Sequence, residues 1–294
     1  MKPKSIVIAG NGPSLRGIDY ARLPKDFDVY RCNQFYFEDQ YFLGRKIKGV
    51  FFNFWTFFEQ YYTLKAFLKK EYEIEQIYCS RMFWATEKDF SNNEVFNRIY
   101  PDVINVYDIV SSHQEIHTNL KFADLFLESR ITSGVLMAVV AAIQGYTSLY
   151  ITGIDFYENG AYAFEHKKKN ALDLVYQYHQ DSPKDLFHKK EIDLKILLDL
   201  QKMFDIEIYS LSPKSPLSEH FPLAPCVNHS FKIISKPLDY TNDIMIPPVK
   251  DPLKEEVPEE NKEPNEESEI EEIELGFIAR IKRILVKIKQ KLGF

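Results

Sequence analysis

Ile6-Val7-Ile8-Ala9-Gly10-Asn11-Gly12-Pro13-Ser14 is a short apolar run that enters a tight turn of small residues. The run reads as a buried strand, and the turn marks its end. A second apolar run, Phe27 to Tyr30, ends in Arg31-Cys32-Asn33-Gln34. Two parallel strands would then finish side by side, each with a polar tip carrying an Asn. Open α/β sheets bind nucleotides at such strand ends.

The rest of the body alternates in the same way. Strands are expected at 5–9, 27–31, 47–52, 76–79, 103–106, 148–152 and 206–211, and helices at 57–70, 133–144 and 191–204. This alternation predicts an α/β fold: a Rossmann-like, mostly parallel sheet with helices on both faces. Helix 133–144 is apolar nearly all round, which predicts deep burial. Between Asp155 and His188 the alternation stops, and a polar, aromatic stretch reads as a lid over the strand ends.

Hydrophobic content of 45% over 294 residues is enough for one large domain with extras. Three cysteines without CxxC spacing argue against a disulfide framework or zinc site and for a reducing cytoplasm. No secretory signal is read at the N-terminus, and no run approaches the roughly 18 apolar residues of a membrane span.

Charge divides the chain. Residues 250–274 hold twelve acids and three lysines, whereas 275–294 hold six cations and no acid. The body is left near neutral, which does not suggest a nucleic-acid partner. Residues 250–269, rich in Pro and Glu, read as a solvated linker. From 270 an amphipathic helix follows, with Ile270, Ile273, Phe277, Ile281, Ile284, Ile288 and Leu292 at three- and four-residue spacing. Its unbalanced positive charge favours a membrane surface over a partner helix.

Individual motifs have modest force. Gly10-x-Gly12-x-Ser14 has Leu15 where a dinucleotide fingerprint has its third glycine, which disfavours a dinucleotide and leaves open both a mononucleotide, with its phosphate near a helix N-terminus, and an ordinary strand-to-helix turn. Asp26-x-Asp28 has the spacing of a metal-holding pair but lies at the wrong end of its strand. His113 and His117 are spaced as two ligands on one helix face, with no third in view. Ser133 lacks a GxSxG elbow. It follows Arg130-Ile131-Thr132 at a helix start, which suits an anion. Tyr157 and Tyr162 can donate to a phosphate. His188 has the side chain whose usual pKa of about 6.5 suits a general base.

Ala9 to Ser14, Arg31 to Asp39, Arg130-Ile131-Thr132-Ser133-Gly134 and Gly153-Ile154-Asp155-Phe156-Tyr157 occur in this order. Together they resemble the bacterial lipooligosaccharide sialyltransferases of glycosyltransferase family 42, over about residues 5–247. The resemblance implies a GT-A-like variant with one nucleotide-binding domain (1–154 and 189–249) and a lid at 155–188; the linker at 250–269 and the membrane-association helix at 270–294 lie beyond it and rest on the charge and spacing pattern. It implies CMP-sialic acid as donor, no metal or other cofactor, and inversion at the anomeric carbon. A galactose-terminated lipooligosaccharide is the implied acceptor, most simply in alpha-2,3 linkage. A bifunctional alpha-2,3/alpha-2,8 enzyme and a catalytically silent nucleotide-binding protein are the alternatives.

By the same resemblance Asn11, Gly12, Ser14, Asn33, Thr132, Ser133, Gly134 and Phe156 belong to the donor site. Gln34, Asn53, Gln60 and Arg130 surround the sialic acid, Tyr157 and Tyr162 meet the leaving phosphate, and His188 is the base. Lys189, where the family has Ser, Phe54-Trp55, where Pro is common, and a shorter Tyr157–Tyr162 loop depart from the pattern on the acceptor side. The resemblance further implies a homotetramer, and the basic tail would place it peripherally on the cytoplasmic face of the inner membrane.

Overall fold

The computed structural model describes residues 4–54, 57–67, 71–80, 94–156, 158, 162–164 and 188–240. The expected linker, the amphipathic helix and most of the expected lid lie outside these residues.

Seven strands form one parallel sheet: β1 Ser5–Ala9, β2 Asp28–Cys32, β4 Lys46–Asn53, β5 Glu73–Ser80, β6 Val103–Asn105, β7 Ser148–Thr152 and β8 Glu207–Ser210. Their order is β6-β5-β4-β2-β1-β7-β8, every pairing parallel. The expected β1–β2 pairing is present, with Ile6 opposite Asp28 and Ala9 opposite Arg31. The order runs outward from β1 in both directions. The topological switch point, where α/β sheets open a crevice, therefore lies between β1 and β7.

Alternation along the strands divides the core. Ile6, Ile8, Tyr30, Phe51 and Tyr78 face one side, and Val7, Ala9, Val29, Val50, Phe52 and Ile77 face the other. The first side packs beneath helices α2 (Val106–Val110), α3 (Gln114–Phe126), α4 (Ser133–Ile143) and α5 (Lys190–Phe204). The second is covered by α1 (Phe57–Tyr62) and short 3-10 turns at 13–17, 20–22 and 35–37. Helix α4 is buried from Gly134 to Ala142, as its all-apolar sequence predicts.

Some elements differ from expectation. The helix expected at 57–70 is α-helical only to Tyr62 and continues as a π turn over Thr63–Phe67. Helix α3 was not foreseen. Ile116, Leu120 and Ala123 bury one face, while Phe122, Leu125 and Phe126 are exposed on the other, so apolar residues occur on both. A two-residue ladder of β3 (Gln40–Tyr41) with β9 (Ile234–Ser235) is too short to leave a pattern. Beside it Lys236 Nζ donates to the Tyr36 carbonyl at 2.9 Å and lies 4.9–5.2 Å from the rings of Tyr41, Tyr72 and Tyr240. Burial pushes this ammonium down to about 8, while the three rings favour its charged form.

Candidate functional site

At the switch point the β1 and β7 turns touch through their backbones. Gly10 N–H donates to Thr152 O at 3.0 Å and Gly12 N–H to Gly153 O at 2.9 Å. A Cβ on Gly10 would overlap the Gly153 carbonyl, and one on Gly153, whose φ is +66°, would overlap Gly10. Close approach therefore requires glycine at both positions, and the left-handed conformation requires it again at Gly153.

The anion-favouring helix start expected after β1 takes another form. Pro13–Gly17 is a 3-10 segment, and Ser14 N–H already donates to Asp155 Oδ2 at 2.8 Å. Ser14 Oγ accepts from Gly153 N–H at 3.0 Å. Ser14 thus braces the turn, and the carboxylate of Asp155 occupies the place an anion would take.

Asn11 and Asn33, the two strand-tip asparagines, have different tasks. Asn11 is buried and its Nδ2 donates to Cys32 O at 2.9 Å. Its Oδ1 is buried and has no hydrogen-bond partner among the described residues. Such an acceptor is costly unless a ligand donor meets it. Asn33 adopts a left-handed conformation at φ 49°, which Asn tolerates better than most residues. Its Oδ1 accepts from Asn53 N–H at 3.1 Å, and its Nδ2 lies 3.4 Å from Ser133 Oγ. The ends of β2 and β4 and the start of α4 therefore meet at one side chain.

Helix α4 begins with Thr132 as N-cap, whose Oγ1 accepts from Val135 N–H at 3.4 Å. The N–H groups of Ser133 and Gly134 have no acceptor within the helix and point out of its positive end, beside Asn33. Thr132 is itself held by Asp193 of α5, which accepts from Thr132 N–H at 3.0 Å and from Oγ1 at 2.8 Å. Burial pushes the Asp193 carboxyl up to about 6, against the lowering effect of the two Thr132 bonds and of His188.

Two residues before Thr132, the Arg130 carbonyl lies 2.8 Å from His188 Nδ1. A carbonyl can only accept, so Nδ1 carries a proton, and Nε2 is the nitrogen whose protonation can change. The Arg130 side chain is ion-paired with Asp124, Nε to Oδ1 at 2.9 Å.

The described fragments of the 155–188 stretch return to the same place. Ala163 N–H donates to Asn11 O at 2.7 Å, and Arg16 holds the Ala163 carbonyl. Tyr162 therefore lies one residue from the Asn11 turn, its ring stacked with Phe164 at 6.2 Å. Phe156 has φ 50° with the Lys190 ammonium 5.6 Å over its ring. Tyr157 and Trp55 lie outside the described residues. Gln34 is buried at the start of the 35–37 turn, Gln60 is buried in α1, and Phe54 is 41% exposed just beyond β4.

Asp28 accepts from the Tyr146 hydroxyl at 2.5 Å at the start of β2, the end of the strand away from Asn33. His113 stands at the N-cap position of α3 without a side-chain capping bond and packs on Phe204 at 4.9 Å. Among the described residues no cluster of three His, Cys, Asp or Glu could hold a metal ion. Two residues that brace the site went unassigned in the sequence reading. Asp193 carries no sequence signal of its own, since acids are common in a helix first turn, and Asp155 stands only within the Gly153–Tyr157 motif.

A family model described as alpha-2,3-sialyltransferase (CST-I) matches residues 4–258. Among solved structures, that of the sialyltransferase CstII from Campylobacter jejuni with cytidine-5'-monophosphate is 44% identical, covering 83% of this chain and 94% of that one at a TM-score of 0.72. The structure of CST-II with a trisaccharide acceptor and CMP matches at 44% identity over 83% of this chain and 96% of that one, TM-score 0.72. The monofunctional alpha-2,3-sialyltransferase Cst-I from Campylobacter jejuni is 36% identical over 95% of both chains, TM-score 0.74. An uncharacterized protein of Haemophilus influenzae is 44% identical over 131 residues, 44% of this chain and 57% of the relative. The chain spans just over half of that relative's length.

Proposed function

The chain belongs to the CST-I alpha-2,3-sialyltransferase family of glycosyltransferases, and on that premise we propose that it moves sialic acid from CMP-sialic acid to a galactose O3 by an inverting displacement that needs no metal. The observation that carries this reading is the meeting of His188, through the Arg130 carbonyl, with the N-terminus of α4.

Each component has a task in this chemistry. CMP lies in the β1–β7 crevice and over Asn33, with Asn11 Oδ1 accepting from the nucleotide. Its one phosphate meets the Ser133 and Gly134 N–H groups and the hydroxyls of Tyr157 and Tyr162. A monophosphate leaving group develops less charge than a diphosphate, so dipoles and hydroxyls suffice to stabilise it. Gln34, Asn53, Gln60 and Arg130 surround the sialic acid. His188 Nε2 takes the proton of the galactose hydroxyl as its oxygen bonds to the anomeric carbon. The carbon–oxygen bond to phosphate breaks on the opposite face, and CMP leaves with the bonding pair. The solved complexes of CstII with CMP and with a trisaccharide acceptor support this substrate pair.

Residues 155–188 act as the lid, and Phe54-Trp55 borders the acceptor, a lipooligosaccharide ending in galactose. The linker 250–269 and helix 270–294 hold the enzyme on the cytoplasmic face of the inner membrane, where that glycolipid is made. Each of the six cations adds about 1 kcal/mol near an anionic surface. Incubation of the full chain with CMP-sialic acid and lactose, with and without a chelator, tests the reading. Equal formation of 3'-sialyllactose in both is expected, whereas CMP binding without product would point to the silent nucleotide-binding protein.

A further inference from the structure

We propose that Asp193 is a positioning residue for transfer: by accepting hydrogen bonds from both the N–H and the Oγ1 of Thr132, it fixes the segment whose Arg130 carbonyl sets the ring of His188. The inference deepens, and rests on, the reading of His188 as the base.

The geometry is a clamp with two jaws. Helix α5 begins at Lys190, and the Lys189 carbonyl receives the N–H groups of Ile192 and Asp193 at 3.1 Å, so His188 and Asp193 flank one turn of a single helix start. Helix α4 begins at Ser133, so Arg130 and Thr132 flank the approach to the other. Two contacts close the clamp, His188 Nδ1 to Arg130 O at 2.8 Å and Asp193 to Thr132 at 2.8 and 3.0 Å. The base and the helix end facing the leaving phosphate thereby move as one piece.

Asp193 is 1% exposed, so its carboxylate is an internal strut and not a substrate contact. A carboxylate buried there is expensive, as its raised pKa records. An apolar residue would be cheaper unless the two bonds to Thr132 were needed. Asn keeps the shape and one acceptor oxygen, but its NH2 cannot receive the second bond. Misplacing the Arg130 carbonyl would let the imidazole rotate or change tautomer, taking the Nε2 lone pair out of line.

The test compares the full chain with Asp193→Asn and Asp193→Ala. Three quantities are measured: CMP affinity, transfer kinetics, and the 15N signals of His188 in histidine-labelled protein. Retained CMP affinity, a kcat about 100-fold lower at similar acceptor KM, and a His188 signal shifted from the Nδ1–H tautomer towards a mixture are expected. A purely structural role would lower unfolding temperature and CMP binding together without a selective change at His188, and that result overturns the proposal. So does an unchanged His188 signal in both variants. If Asp193→Ala does not fold, the near-isosteric Asp193→Asn decides. Absence of transfer by the wild-type chain would instead contradict the sialyltransferase reading. The tautomer measurement would still decide whether Asp193 sets the ring.

Discussion

Arg31 and Glu38 form an ion pair almost wholly removed from water, with side chains 1% and 0% exposed and 2.8 Å between Nη1 and Oε2. The Tyr72 hydroxyl donates to the other Glu38 oxygen at 3.0 Å, and the guanidinium lies 5.0 Å over the Phe35 ring. Arg31 is two residues before Asn33, so this pair anchors the tip of β2 that carries the proposed donor site. Removing one partner strands the other charge in the core. Glu38→Gln should therefore destabilise the protein by about 3–5 kcal/mol, and Arg31→Met with Glu38→Leu by much less. Urea unfolding of the wild type and the two variants checks this, and a Glu38→Gln loss under about 1 kcal/mol would show that the pair anchors nothing. Asn33 was legible from the sequence because a polar tip on a strand end implies a ligand. The buried role of Arg31 was not, because an arginine at a strand end normally reads as solvated.

Between elements, the decisive contact joins the starts of α4 and α5. Its Asp193 has its carboxyl raised from the ordinary 3.8 to about 6, mainly by burial. A group raised on folding contributes stability that is complete below its unfolded pKa and lost as pH rises through the folded one. The window here runs from about 4 to above 6, and the loss is about 3 kcal/mol. The stability difference between wild type and Asp193→Asn should move by that amount in the variant's favour from pH 4 to pH 7. Parallel unfolding curves across that range would contradict it. The same variant would be less active, because its NH2 cannot accept the second Thr132 bond. Helix α4 itself was legible, because an apolar run flanked by Ser133-Gly134 and Gly145 states both its burial and its ends. Its link to α5 was not, since helix first turns favour acids anyway.

For the whole molecule, the strand order explains the location of the site. The sheet runs outward from β1 in both directions, and the glycine turns of β1 and β7 close on each other where the layers part. The β1–β2 half of this arrangement was visible in the sequence. The partnership with β7 was not, because it depends on strands far apart in the chain. Residues 270–294 belong to the same scale. Deleting them should release the enzyme from membrane pellets and leave transfer to a soluble lactoside intact, and unchanged pelleting after the deletion would refute the anchor. Folded body and charged tail would then divide the work of chemistry and location.

His188→Ala gives the most direct measurement. The Arg130 carbonyl fixes Nδ1 as a protonated nitrogen, so in the proposed mechanism it is Nε2 that takes the acceptor proton. Loss of a positioned general base costs about 10²–10⁴-fold in rate. The account predicts that the variant binds CMP as the wild type does and transfers sialic acid to lactose slower by that factor. Wild-type turnover in His188→Ala would contradict it.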